Sequence, residues 1–264
     1  MLFTHNLNPV ALELGFWEIR WYGLAYVAAA LFAFFWLRSL QKTGKLGLTA
    51  SELENLEFGM LFGVLLGGRL GYFLFYNFEA FPSVWRIWEG GMSFHGGLLG
   101  AILAILLFAW RRKKPFLQLT DALAFPATVG LILGRLANFV NGELPGRPTQ
   151  ANFGVIFPQF DLLPRHPSQL YAAGKDFLIA LILYLTWQRN PPRGLLSFLF
   201  LTFYGAFRIL VEIYWRAPLD GFILGLPRGA FFSVPLLLLG IGGSLWLWKS
   251  SRQPKNSEFS APKP

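Results

Sequence analysis

Residues 117–143 read LQLTDALAFPATVGLILGRLANFVNGE. Up to Val140 the stretch is apolar, and it exceeds the roughly 20 residues that a helix needs to cross about 30 Å of hydrocarbon. Its end carries Gly134-Arg135-Leu136-Ala137-Asn138-Phe139-Val140-Asn141-Gly142-Glu143. Holding an arginine among hydrocarbon costs roughly 2.5–3.5 kcal/mol on insertion scales. Here two amides and an acid follow within two helical turns, and Arg135 and Asn138, three apart, share a face if the helix continues that far. A planar guanidinium beside amides at membrane depth suits an anionic headgroup such as phosphate. The run reads as a transmembrane helix that ends in a lipid-headgroup site.

The rest of the chain supports that reading. Of 264 residues, 54% are hydrophobic and 14% charged, where a soluble domain has about 25% charged. Seven apolar runs qualify as spans: residues 21–37, 58–75, 92–110, 117–140, 170–187, 195–211 and 230–248. The expected fold is an all-α polytopic membrane protein of seven transmembrane helices. The fifth run is interrupted by Lys175 and Asp176, expected either to pair with neighbours or to reach the interface. Alternate loops carry thirteen Lys and Arg on one side and six on the other, which places the N-terminus outside and the C-terminus in the cytoplasm. The net charge of +9 is explained by this distribution and gives no reason to expect nucleic acid. The first twenty residues lack a basic region and an apolar core of their own, so no cleavable signal is expected.

A membrane domain is expected over 1–249, followed by a disordered cytoplasmic tail over 250–264 rich in Ser, Pro and Lys. The loop 141–169 joins the fourth and fifth spans. It is long for a passive connection, and its aromatic and aliphatic content predicts a small folded cap on the outer face. The absence of cysteine excludes disulfides, thiolate metal sites and an enzyme-thiol intermediate. There is no metal cluster, nucleotide loop or internal repeat, and no cofactor is expected.

Several polar residues fall in the outer halves of their spans under this topology. His95, in Gly90-Gly91-Met92-Ser93-Phe94-His95-Gly96-Gly97, is either a general base or a group that caps a helix start or bonds a carbonyl. Tyr204, Arg208 and Glu212 recur every four residues and form one stripe. Arg208 is a candidate for binding, while Glu212 either joins it or simply neutralises it. Arg69, Tyr72, Phe73 and Tyr76 make a similar stripe, in which Arg69 serves as structural glue, snorkels outward or meets substrate. Tyr22 beside Trp21 suits an interfacial anchor, and Asp121 suits a helix N-terminus. Asp121 lies near the cytoplasmic start of its span, whereas Tyr22, Arg69, His95, Arg135, Asn138, Arg208 and Glu212 lie in outer halves and are expected to converge on a cavity open to the outer leaflet.

Six strings, in order, strongly resemble the bacterial prolipoprotein diacylglyceryl transferase family. They are Trp21-Tyr22-Gly23; Gly67-Gly68-Arg69 with Tyr76-Asn77; Gly91 through Gly97; Gly134-Arg135 through Gly146; Leu163-Pro164-Arg165-His166-Pro167-Ser168-Gln169-Leu170-Tyr171; and Tyr204-Gly205-Ala206-Phe207-Arg208 with Glu212. The resemblance implies a multi-pass enzyme of the bacterial inner membrane, active toward the outer leaflet. It would move the diacylglyceryl group of phosphatidylglycerol directly onto the thiol of the lipobox cysteine in a prolipoprotein signal peptide, releasing glycerol phosphate.

Read through that resemblance, His95, Arg135, Arg208 and Tyr22 are the expected catalytic residues. Arg135, Asn138, Asn141, Glu143, Gly146, Arg69, Tyr204, Glu212 and His166 are expected to bind substrate. The chain departs from the usual family pattern at Ala172, where an acidic residue is common, and at Ala230, where Gly229 is commonly followed by Gln. Neither position touches the arginine or histidine motifs. The alternative class is a non-enzymatic transporter of an anionic solute or lipid, since such sites also use intramembrane arginine.

Overall fold

The computed structural model describes residues 2–15, 17–86, 91–219 and 221–252. Gly90, the side chain of Tyr76 and residues 253–264 of the expected tail lie outside the described residues. Seven helices are long and apolar enough to cross a membrane. They are α1 (Trp21–Lys42), α2 (Ala50–Tyr76), α3 (Phe94–Arg112), α4 (Phe116–Val140), α5 (Ser168–Trp187), α6 (Leu195–Tyr214) and α7 (Arg228–Arg252). All seven expected spans are therefore helical. Helix α7 runs through Arg252, past the expected start of the tail at Ser250.

The chain divides into two compact units, Val10–Gly134 and residues 2–9 with the described chain from Arg135 onward. In the first unit, α2 begins eight residues before the apolar run does. Thr49 and Glu52 form a reciprocal capping box there: the Thr49 hydroxyl accepts from the Glu52 amide, and the Glu52 carboxylate accepts from the Thr49 amide. That arrangement satisfies two N–H groups that a helix start leaves without partners. Arg38 of α1 bonds Glu57 at 3.2 Å, and Lys114 bonds Glu52 at 3.1 Å, so the polar first turns of α2 are tied to their neighbours.

Helices α2 and α3 meet backbone to backbone through Gly63, Gly67 and Gly71 on one side and Gly96 and Gly100 on the other. A Cβ on Gly67 would strike the Gly96 carbonyl oxygen and lie 2.9 Å from Gly100 Cα; one on Gly71 would lie 2.7 Å from Gly96 Cα. Lipid tails are as apolar as leucine, so dispersion at close approach supplies much of the association between such helices. Pro126 sits inside α4 and cannot donate to the Ala122 carbonyl one turn back. The Trp36 indole donates to that carbonyl instead, at 3.0 Å, so this acceptor is not left bare.

In the second unit, α6 and α7 pack closely at Gly205, where a Cβ would lie 2.8 Å from the Leu237 amide nitrogen. Between α4 and α5 the chain forms β4 (Val155–Ile156) and β5 (Pro164–Arg165). With β1 (Phe3–Thr4), these make a three-stranded sheet in the order β1-β4-β5, with β1 parallel to β4. The remaining strands are the pair β2 (Val10–Leu14) and β3 (Trp17–Arg20) and the pair β6 (Phe222–Ile223) and β7 (Leu226–Pro227). The strands of two residues carry no alternation that sequence reading can use; β2 and β3 are longer, and no strand was expected.

Gly67→Leu should sharply lower the thermal unfolding midpoint in detergent, because the new side chain has only backbone to displace. Gly59→Leu, one helix position of open space in α2, should hold or raise it, since glycine inside a helix costs about 0.5–1 kcal/mol relative to alanine. Equal midpoints for the two variants would contradict the close approach of α2 and α3.

Candidate active site

The second unit holds nine of the expected site residues, and a chain of side-chain hydrogen bonds starts at Arg135. Its Nη1 donates to Asn138 Oδ1 at 3.2 Å, confirming that the pair share a helical face. Asn138 Nδ2 donates to Glu143 Oε2 at 3.0 Å, and Asn141 Nδ2 donates to Glu143 Oε1 at 3.0 Å. The Glu143 carboxylate accepts from both amides, which fixes the Asn138 carbonyl toward the guanidinium. An arginine has five N–H donors. Among the described residues, Arg135 uses only this one side-chain bond. The half-buried guanidinium is thus oriented while most of its donors remain available.

The turn after α4 holds this network in shape. Gly142 has φ +68°, a conformation that glycine adopts without strain. Its carbonyl accepts from Gln159 Nε2 at 2.7 Å. Gln169 Nε2 donates to the Glu143 carbonyl and Ser168 Oγ to the Leu144 carbonyl at 2.9 Å. His5 stacks on Phe157 and lies edge-on to Phe139, and its Nε2 is 2.7 Å from the Phe139 carbonyl at the end of α4. Sequence reading gave none of Gln159, Ser168, Gln169 or His5 a role, because their partners lie 17–134 residues away in the chain.

The stripe on α6 forms as expected. Arg208 bonds Glu212 at 3.0 Å, and Arg216 bonds the same carboxylate oxygen at 3.2 Å. Arg216 continues the four-residue spacing past the helix end, a signal present in the sequence and overlooked. Glu212 is buried, and a Cβ on Gly229 would overlap its carboxylate. The glycine preceding Ala230 is thus required by packing. Lys175 and Asp176 correct the expectation that they pair with neighbours or reach the interface. They pair with each other, and their side chains are only 9% and 0% exposed. The Lys175 ammonium lies 4.5 Å from the Tyr204 ring centroid.

Gly146 and His166 hold the cap in place. The Gly146 amide donates to the His166 carbonyl at 2.9 Å, and Arg165 Nη1 donates to the Gly146 carbonyl at 2.9 Å. A Cβ on Gly146 would lie 2.7 Å from the Trp215 carbonyl oxygen, so no side chain fits. Arg165 pairs with Asp161 and holds that carboxyl below the ordinary range. The His166 Nδ1 lies 3.1 Å from the Tyr171 hydroxyl, and burial lowers its basicity. For Gly146 and His166 the geometry shows contacts that position the cap.

The other three candidates lie in the first unit. Arg69 is buried, and its guanidinium donates to the carbonyls of Ser83, Val84, Arg86 and Gly91. It also lies 4.6 Å from the Phe73 ring centroid. These bonds make Arg69 the glue for the segment after α2, one of the roles expected for it. His95 is exposed on the first turn of α3. Ser93 caps that helix, accepting from the Gly96 amide at 3.2 Å. The N-cap position is thus occupied by Ser93. The Tyr22 hydroxyl accepts from that of Tyr26 at 3.2 Å.

A family model described as prolipoprotein diacylglyceryl transferase matches residues 9–246. Curated relatives named phosphatidylglycerol–prolipoprotein diacylglyceryl transferase include one from Rickettsia rickettsii (strain Sheila Smith). It is 45% identical over 245 residues, covering 89% of this chain and 95% of the relative. Another, from Aeromonas salmonicida (strain A449), is 42% identical over 258 residues, covering 95% of this chain and 92% of the relative. The matched span includes both the Arg135 network and the α6 stripe, and the chain belongs to the prolipoprotein diacylglyceryl transferase family.

Proposed function

We propose that this protein transfers the diacylglyceryl group of phosphatidylglycerol to the lipobox cysteine of a prolipoprotein, with release of glycerol phosphate. The observation that carries this reading is the oriented Arg135 guanidinium with its unused donors, in a chain whose relatives are named for that reaction. Those names leave the transporter reading without support.

The cysteine sulfur attacks a glycerol carbon. A C–S bond forms as the C–O bond to phosphate breaks, and the electron pair leaves on the phosphate oxygen. Fixed positive charge in a site shielded from water stabilises that developing charge more than water does. Arg135 and Arg208 supply it, while Asn138 and Glu143 orient Arg135 and the glycerol headgroup. A thiol with an ordinary pKa near 8.5 must first lose its proton. His95 is proposed as the acceptor, supported by its exposed imidazole and by Ser93 taking over the capping task. Tyr22 is proposed as a further catalytic residue on the strength of the family resemblance. No enzyme thiol takes part, because the chain has no cysteine.

Arg135→Lys should lose most transfer of labelled diacylglyceryl to a lipobox peptide, since an ammonium keeps the charge and loses the planar fork. Arg208→Ala should be similarly damaging. Near-normal transfer by Arg135→Ala would defeat the assignment. His95→Gln should depress single-turnover transfer by about 100- to 10,000-fold at neutral pH. Its residual rate should climb toward the thiol's own pKa at saturating phosphatidylglycerol; an unchanged pH profile would remove the base role.

The basic-residue bias further supports an N-out, C-in arrangement in the bacterial inner membrane, with the site facing the outer leaflet and the 141–169 cap outside. A cysteine introduced at Gln150 should react with an impermeant thiol reagent in intact cells, while one at Arg112 should be shielded. Both positions are exposed, and the absence of native cysteine makes the labelling unambiguous. The reverse pattern would invert the topology.

A further inference from the structure

The Lys175–Asp176 pair lies inside α5 and has no part in the reaction as proposed above. Asp176 is fully buried, and one of its oxygens, Oδ1, pairs with Lys175. Its other oxygen, Oδ2, is buried without a hydrogen-bond partner. The helices place the carboxylate near both arginines: Gln169 and Ser168, about two turns earlier on α5, bond the carbonyls of Glu143 and Leu144 just past the end of α4, and Lys175 lies against the ring of Tyr204, one turn from Arg208 on α6. Neither arginine forms a salt bridge with it: Arg208 is bonded to Glu212 and Arg135 to Asn138. A buried carboxylate with a bare oxygen is costly in hydrocarbon. Here it lies in the field of both arginines assigned to the lipid phosphate.

We infer that Asp176 and Lys175 are positioning residues of opposite sign that set how strongly the Arg135–Arg208 clamp holds phosphate. Asp176 is the resident counter-anion of the two guanidiniums and competes with the bound phosphate for their field. Lys175 neutralises most of that competition and orders Tyr204 through its ring contact. The balance matters because the product, glycerol phosphate, carries the same group as the lipid and must leave for the next turnover. A clamp with no internal anion would bind product too well, and one with an unneutralised anion would bind lipid poorly.

This inference rests on the proposed function, and the two fail separately. Its test uses the full-length protein in detergent, with phosphatidylglycerol as donor, a lipobox peptide as acceptor and glycerol phosphate as inhibitor. Asp176→Asn should lower both the KM for phosphatidylglycerol and the inhibition constant of glycerol phosphate by roughly tenfold, with a reduced kcat. One unit charge about 12 Å away has about that effect at an effective dielectric near 20. Lys175→Met should shift both constants in the opposite direction, and Lys175→Arg should restore them. The double variant Lys175→Met/Asp176→Asn should return both toward the parent values, since the two changes cancel in net charge.

If Asp176→Asn does not accumulate as folded protein, the double variant, Lys175→Met and Lys175→Arg still decide the matter. Shifts of the same sign in the single variants, an unchanged inhibition constant in Lys175→Met, or a double variant no closer to the parent than Lys175→Met would overturn the inference. A purely structural role would reduce folded yield without moving the inhibition constant. If the unaltered protein transfers lipid and Arg135→Ala does not, while the opposite shifts are missing, only this inference fails. If the unaltered protein transfers nothing, the proposed function itself falls.

Discussion

A guanidinium surrounded by hydrocarbon must meet acceptors, and the arginines here differ in how completely they do so. Arg69 meets four main-chain carbonyls and an aromatic face, and so its chemistry is spent on holding a loop. Arg208 and Arg216 share the Glu212 carboxylate. Arg135 meets one amide oxygen, whose orientation is set by Glu143. An intramembrane arginine left with unused donors in a folded protein is poised for an anion that arrives later.

The surrounding architecture serves that constraint. Close glycine contacts between α2 and α3, and at Gly205 between α6 and α7, let helices associate without bulky side chains. The Trp36 indole covers the carbonyl exposed by Pro126, so a helix-breaking residue is tolerated within a span. At the end of α4, the backbone leaves the helix through Gly142 and is held by side chains of Gln159, Ser168, Gln169 and His5. The turn that presents Glu143 is therefore shaped by residues from the N-terminus, the cap and α5 together. Side-chain and backbone hydrogen-bonding needs are met by one network, which explains why the polar residues are concentrated in this short stretch.

Sequence alone determined the seven helices, because a run of about 20 apolar residues has few other stable states in hydrocarbon. It also determined the Arg135–Asn138 and Arg208–Glu212 pairs, because spacings of three and four fix a common face on a helix before any tertiary contact exists. The Thr49–Glu52 capping box and the fourfold recurrence that reaches Arg216 were equally local and could have been read there. Tertiary structure alone decided what each polar group does with its capacity. Whether Arg69 is glue or ligand depends on carbonyls 14 to 22 residues away. That Lys175 and Asp176 turn inward, and that Gly146 admits no side chain, depends on α6 and on segments around His166 and Trp215. Partners distant in the chain leave no periodic trace in the sequence, and only the folded backbone brings them within hydrogen-bonding range.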